Sequence, residues 1–449
     1  MSIRIEDLEG MQYPRDGTEL QQEDYAYSTN NMPPQATKEP LYELQSHCAT
    51  KSGKNIQIDL TNTYKDMMVF NPTGLANKTY VYAGVSSRLK DFNAYLTYNK
   101  LFVPHGFGAY VCVGGHAQTG GSIRMVDYNG AIKEVTKDTD PNLFWQFSVA
   151  VRALDYMGTV EGPNGFKGPH GLKGLWLYNR EVLIELLKHL AEMSDDANFP
   201  RNYDFCINVL STEFPVTGLF PELEDSRIWE NIQVKIKNQF LDEFLKFLNG
   251  TFPSIITINA QWCPVNKGDK YDSTVDRWFQ KFRELGSSFK HLTLLIDEWD
   301  KDMATLTGDW MFPKPREFDL PYVKRAYSTS QRNLSTNKWV DTVVQRIDLI
   351  YNPDHYLNGE PGQKKYERYL GCKLAVRIQN YGGNFARFTT NRNNGTSYSW
   401  RDSSIVQVFD CFHKTDDDSK HYAEEWAAKN DMLMNGPNGV FSPVDRRLI

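Results

Sequence analysis

Apolar and polar residues alternate with period two in some stretches of the chain and recur at helical spacing in others. Asn55 to Leu60 (Asn-Ile-Gln-Ile-Asp-Leu) and Thr79 to Val85 alternate and predict short, half-buried strands. Between Ser87 and Asn99, Leu89, Phe92, Asn93 and Leu96 fall at helical spacing. Ile123 to Val135 predicts a hairpin turning at Asp127-Tyr128-Asn129-Gly130, because Asn-Gly supplies the positive φ angles of a tight turn. An amphipathic helix is predicted over Asn179 to Met193, with Val182, Leu183, Leu186, Leu187 and Leu190 on one face. A strand over Asp204 to Leu210, a helix over Phe240 to Leu248 and a strand over Ile255 to Trp262 follow. Asp272 to Leu285 predicts a helix capped by Asp272 and stopped at Gly286, ahead of a strand over Leu292 to Ile296. The last region alternates from Leu374 to Gln379, runs through a polar turn from Asn391 to Thr396, predicts a strand over Ile405 to Asp410 and ends in a helix over Ser419 to Met434. Strands separated by amphipathic helices predict an α+β architecture, a sheet with one face covered by helices.

Length and composition narrow the picture. A chain of 449 residues is long enough for two or three domains. Residues 1–40, with Pro33, Pro34 and Pro40 and little periodic pattern, form a polar lead-in. A net charge of −6 without a basic stripe argues against nucleic acid as a partner. The longest apolar runs, such as Leu292 to Ile296, are far short of a membrane span, and Met1 to Gly10 lacks the apolar core of a signal peptide, so a cytoplasmic protein is the default expectation. Six scattered cysteines with no CxxC pair predict free thiols and no zinc ribbon, and no metal site is expected. Aromatic residues make up 13% of the chain, enough either to wall a pocket for a flat ligand or to fill cores and half-buried strands.

Two stretches could carry chemistry. Between Gly106 and Gly121 glycines crowd around Val113-Gly114-Gly115-His116-Ala117-Gln118-Thr119-Gly120-Gly121. Glycine lets backbone amides close on an anion, so this loop suits a pyrophosphate; it equally suits a turn cluster with no ligand. Neither a Gly-Lys-Ser nor a GxGxxG order accompanies it, which argues against a Walker loop and a Rossmann turn. The second stretch is Arg377-Ile378-Gln379-Asn380-Tyr381-Gly382-Gly383 with Thr396-Ser397-Tyr398-Ser399-Trp400-Arg401-Asp402. On neighbouring strands these would gather phenol, amide and guanidinium on one surface, where the cation lowers a phenol's pKa and readies it to take a proton. The alternative is strand packing by Tyr398 and Trp400, with Arg401 paired to Asp402. Ala260-Gln261-Trp262-Cys263-Pro264 and Pro315 to Arg325 look like strand ends and loops that stabilise the fold.

Taken in order, these stretches resemble the flavin-dependent oxidases of the PCMH-type (vanillyl-alcohol oxidase) superfamily, in the berberine-bridge-enzyme-like branch found in fungi. The resemblance implies a two-domain fold: a partial FAD-binding domain over residues 41–170, an antiparallel-sheet substrate domain covered by helices over 171–412, and over 413–449 the start of a segment returning to the FAD domain. It implies FAD as cofactor, held by Val113, Gly114, Gly115, His116, Gln118, Thr119, Gly120 and Gly121. It further implies hydride transfer from an alcohol- or amine-type metabolite or carbohydrate to flavin N5, with molecular oxygen as acceptor. Tyr398 is then the candidate base, Tyr381 and Arg401 its neighbours, and Gln379 a positioning residue.

The chain also departs from that pattern. A first Gly-Gly-His loop is missing where Tyr42 to Ala49 stands, and His47 lies out of register with its histidine. Gly108 occupies the position of the cysteine that some members link to flavin, so no cysteinyl bond is expected. Ser122 follows Gly121 without the usual further glycines, Gln146 to Gly168 replaces a flavin-contacting turn, and Arg446 to Ile449 precedes the usual closing segment. These gaps keep two other readings open: a flavin-free, non-catalytic relative, including the product of a decayed or misread gene, and a glycan-binding module.

Overall fold

The computed structural model describes residues 64–70, 80–114 apart from 104 and 107, 123–126, 131–135, 169–210 apart from 201, 254–311 apart from 265–268, 289–292 and 300, 320–351 apart from 335–336, 372–382, 389, 403–435 and 446–447. The chain divides into two compact units. The first comprises 1–156, 302–311 and 393–399; the second comprises 157–301, 312–392 and 400–449.

In the first unit, β1 (Met67–Phe70) pairs antiparallel with β2 (Tyr80–Ala83). Helix α1 (Leu89–Tyr98) buries Leu89, Phe92 and Leu96, the positions its periodicity assigns to the core. A second hairpin, β3 (Ile123–Val126) with β4 (Ile132–Val135), forms where Asn129-Gly130 predicts a turn. The short helix α4 (Met303–Gly308) returns to α1, where the Asn93 side-chain amide donates to the Ala304 carbonyl at 2.8 Å and the Asn93 oxygen meets His105 Nε2 at 3.1 Å.

Among the described residues, the second unit is built on an antiparallel sheet of eight strands. Its strands are β5 (His170–Leu177), β6 (Tyr203–Leu210), β7 (Ile255–Trp262), β8 (Thr293–Glu298), β9 (Tyr322–Ser330), β10 (Lys373–Asn380), β11 (Ser403–Phe412) and β12 (Arg446–Arg447), in the order β12-β9-β11-β10-β6-β7-β5-β8. Helices α2 (Arg180–Asp195), α3 (Ser273–Ser288), α6 (Asn337–Tyr351) and α7 (Asp417–Asn435) supply the apolar residues that meet one face, and α5 (Gln331–Leu334) leads from β9 into α6. Asn179 caps α2 through the Glu181 and Val182 amides, and Asp272 caps α3 through those of Thr274 and Val275.

Strand parity fixes what each face carries, since successive side chains point to opposite sides. Phe205, Ile207, Val209, Ile256, Ile258, Trp262, Leu374, Val376, Ile378 and Phe409 face the helices and join their apolar stripes in one core. Some of the aromatic share is spent here: Trp176, Trp262, Trp339, Trp426, Phe205, Phe279 and Phe282 are fully buried in this layer. Arg346 is buried in it too, its guanidinium stacked 3.9 Å from the Phe409 ring centre and 4.7 Å from that of Tyr327.

The α+β expectation is met, with helices on one side of an antiparallel sheet. Strands β5 and β9 and helix α6 escape the hydrophobic pattern. In β5 the glycines Gly171 and Gly174, with His170 and Lys173, break up the apolar pattern of a buried strand, and in β9 the polar Lys324, Arg325, Ser328 and Thr329 mask the alternation. Of the stretch 315–325, expected as a strand end and loop, the described residues 320–325 lead into a nine-residue strand that starts at Tyr322. The strand predicted at 55–60, the helix at 240–248 and the turn at 391–396 lie outside the described residues.

Candidate functional site

The face of the large sheet opposite the helices carries a continuous polar band. Register aligns it in rows. Gln379, Cys206, Asn259 and Lys173 stand side by side across β10, β6, β7 and β5; in the next row stand Arg377, Asn208 and Thr257; in a third, Asp204 and Gln261 lead to Gly171 and Glu298. Lys173, Asn208, Thr257, Asn259, Gln261 and Glu298 are all buried. Desolvating so many polar groups is costly unless they bond one another or a ligand.

Much of the band is satisfied internally. Arg377 Nε donates to Asn208 Oδ1 at 3.1 Å, and Asn208 Nδ2 donates to Thr257 Oγ1 at 3.3 Å, so one row is wired across three strands. Lys173 Nζ lies 3.3 Å from Glu298 Oε1, which also accepts from Lys301 at 2.5 Å. At the other edge Lys324 pairs with Asp410 at 3.4 Å, and that carboxylate holds the lysine above its ordinary range.

Asp204 and Gln261 form the chemically distinctive part. They are direct register partners on β6 and β7. The Asp204 carboxyl accepts from the Phe205 amide at 2.7 Å and from the Gln379 side chain. Burial outweighs both bonds and pushes the carboxyl up to about 6. It therefore changes protonation close to neutral pH, accepting hydrogen bonds when ionised and also donating one when protonated. Gln261 Oε1 is buried with no hydrogen-bond partner, an acceptor suited to a ligand donor. Cys206 in the adjacent row is pushed up to about 12 by burial and stays a neutral thiol.

Gln379 thus lies on the polar face in contact with Asp204. Tyr381 follows at the end of β10, half-buried, in a turn fixed at three points. Its amide donates to the Ser404 carbonyl at 2.7 Å; the Asn380 side-chain oxygen accepts from the Gly382 amide at 2.8 Å and from the Ser194 hydroxyl at 3.3 Å. Gly382 has φ 82°, a conformation that a side chain would strain, which explains glycine after Asn-Tyr.

Val113 and Gly114 lie in the first unit, and both spend their amides inside it. Val113 donates to the Ser87 carbonyl and Gly114 to the Val85 carbonyl, each at 2.8 Å. A Cβ on Gly114 would lie 2.8 Å from Val85 Cβ and 2.9 Å from its carbonyl oxygen, so glycine serves close backbone packing at this point. Gly115, His116, Gln118, Thr119, Gly120, Gly121, Tyr398 and Arg401 lie outside the described residues.

Sequence reasoning missed Asp204 and Gln261 as site residues. The signal was present in the alternation of Asp204, Cys206 and Asn208 on β6 and of Thr257, Asn259 and Gln261 on β7. What it lacked was the register that puts the two sets on one face. Among the described residues, no group of three His, Cys, Asp or Glu side chains could hold a metal ion, and no helix is long and apolar enough to cross a membrane.

No protein-family model and no curated protein matches the sequence. Solved structures match in three dimensions. FgChi7B aligns at 12% identity over 85% of this chain and 70% of its own, with a TM-score of 0.51. The xylooligosaccharide oxidase of Myceliophthora thermophila C1, solved with xylobiose, aligns at 13% identity over 83% of this chain and 69% of its own, with a TM-score of 0.49. A carbohydrate oxidase from Microdochium nivale aligns at 13% identity over 79% of this chain and 66% of its own, with a TM-score of 0.46. At such identity the likeness speaks for fold alone, and the fold is the α+β architecture that the PCMH-type resemblance implies.

Proposed function

We propose that this protein is a FAD-dependent oxidoreductase that oxidises a hydroxyl- or amine-bearing small molecule, with carbohydrates the first substrate class to test and molecular oxygen the acceptor. The observation that carries the proposal is the buried polar face of the large sheet. It offers the unpartnered oxygen of Gln261, the titratable carboxyl of Asp204, the amide of Gln379 and the guanidinium of Arg377 within three adjacent strands. Acceptors and donors at this density suit a polyol, whose hydroxyls serve as both.

In this proposal Tyr398 removes the substrate's hydroxyl or amine proton, Arg401 favours the phenolate that does so, and Tyr381 borders the reacting group from its anchored turn. Gln379 orients the substrate and Asp204 fixes Gln379. FAD, when bound, supplies the hydride acceptor. The amides of Gly115 to Gly121, together with His116, Gln118 and Thr119, hold its pyrophosphate. Val113 and Gly114 act earlier in the loop: their bonds to Ser87 and Val85 fix the point from which the glycines start.

That commitment of two amides also favours a second reading, a flavin-free relative that binds small molecules on the same polar face. The two are separated by peroxide release from the purified, FAD-supplemented chain over a panel of oligosaccharides, polyols and amines. Peroxide formation on one substrate, abolished by Tyr398→Phe with binding retained, supports the oxidase. Binding of a panel member without peroxide and without flavin uptake supports the flavin-free relative and overturns the oxidase.

A further inference from the structure

A chain of hydrogen bonds closes on His170 at the start of β5, on the helix side of the sheet and away from the polar band. The residue is fully buried. Its ring stacks flat on that of Trp299, 3.9 Å between centres, and lies 4.0 Å from that of Phe279 on α3. Nε2 meets Asp297 Oδ1 of β8 at 2.8 Å, and Nδ1 meets the Tyr271 hydroxyl at 3.0 Å. That hydroxyl donates at 2.7 Å to Asp276 Oδ1, in the first turn of α3. Arg283 of α3 ties the two carboxylates together, donating to Asp276 at 3.1 Å and to Asp297 at 2.7 Å. Tyr203 of β6 stands in the same row as His170, beyond Trp262, and burial pushes its phenol well up, so it stays neutral.

A neutral imidazole cannot make all of these bonds. A phenol has one proton, and Tyr271 spends it on Asp276, so the 3.0 Å contact needs a proton on Nδ1. Although burial opposes it, the bonds from His170 and Arg283 hold the Asp297 carboxyl at about 2; it is ionised, and the 2.8 Å contact needs a proton on Nε2 as well. The full set therefore requires an imidazolium, which with Arg283 balances the two carboxylates and gains from its flat contact with Trp299. A neutral ring keeps its proton on Nε2 for Asp297 and leaves Nδ1 bare. Tyr271 must then turn its proton from Asp276 to Nδ1. We propose that His170 is a proton-operated switch: when charged it leaves the Tyr271 hydroxyl to pin the first turn of α3 through Asp276, and when neutral it takes that hydrogen bond and leaves Asp276 to Arg283. Burial lowers the His170 pKa from 6.5 and Asp297 offsets this only in part, so the pinned form belongs to the acid side of neutrality. The switch lies across the sheet from Asp204 and Gln261 and operates with or without a flavin.

The folded, full-length chain, labelled with nitrogen-15 in histidine and carbon-13 at Cζ of tyrosine, is followed by NMR from pH 4.5 to pH 8.5, with His170→Gln and Tyr271→Phe identifying the two signals. At high pH His170 should be neutral with its proton on Nε2, and it should gain a second on Nδ1 as the pH falls, with a midpoint below 6.5. The Tyr271 Cζ signal should shift with the same midpoint, and that shift should vanish in His170→Gln. Tryptophan fluorescence gives a second reading that needs no change at His170. An imidazolium quenches the indole it stacks on, so emission should fall through the same midpoint, and Trp299→Phe should remove that component. A neutral ring protonated on Nδ1, a ring whose charge does not change while the chain stays folded, or a Tyr271 signal that ignores the His170 midpoint overturns the proposal.

Discussion

Replacing Asp204 by Asn probes the polar face where its chemistry is most distinctive. Asn keeps an oxygen for the Phe205 amide and the Gln379 side chain but cannot ionise. The carboxyl rises from 3.8 to about 6 on folding. Protonation is therefore favoured in the folded chain, and the stability this contributes is fully present below pH 3.8 and is lost as the pH climbs through about 6. At about 1.4 kcal/mol per pH unit, ionising Asp204 costs up to about 3 kcal/mol by pH 8. Asp204→Asn should thus match the wild type near pH 4 and exceed it by up to about 3 kcal/mol at pH 8. Urea unfolding followed by tryptophan fluorescence at the two pH values measures the difference. An equal difference between variant and wild type at both would refute the reasoning, because it would leave Asp204 with the same proton affinity folded and unfolded.

Other expectations follow from single contacts. Tyr178→Phe removes the phenol that donates to the fully buried Asp348, which also accepts from Arg180 at 3.0 Å, and should cost about 1.5–3 kcal/mol in chemical unfolding. Gly382→Ala forces a side chain into φ 82° and should cost roughly 1–2 kcal/mol. If Tyr381 borders the substrate, the same change lowers turnover more than the loss of folded protein explains, which steady-state kinetics at saturating substrate would detect. Gly114→Ala pushes a Cβ against Val85 and should weaken FAD retention on gel filtration while the melting of the large sheet stays unchanged.

Local patterns made much of the second unit legible. The stripe Val182-Leu183-Leu186-Leu187-Leu190 and the Asn179 and Asp272 caps gave the starts of α2 and α3, but α3 runs through Gly286, its expected stop, to Ser288, because one glycine inside an amphipathic helix costs too little to end it; alternation gave β6, β7, β10 and β11. Register stayed out of reach, because pairing partners such as Arg377, Asn208 and Thr257 are far apart in sequence and only their alignment makes a row. For the same reason Gln379 was found by its motif, while Asp204, its hydrogen-bond partner, was not. Strand β5 was missed because His170, Gly171, Lys173 and Gly174 scatter among its leucines on both faces and leave no apolar–polar alternation to read. The glycine loop shows the opposite limit: its composition pointed to anion binding, yet at Gly114 the lack of a side chain serves contact with Val85.

The central claim, that this chain is a flavoprotein, is tested most directly by the visible absorption spectrum of the purified protein after incubation with FAD and gel filtration. The account predicts flavin bands that co-elute with the protein and are weakened in Gly114→Ala. Colourless protein, with all added FAD eluting in the small-molecule volume, would contradict it.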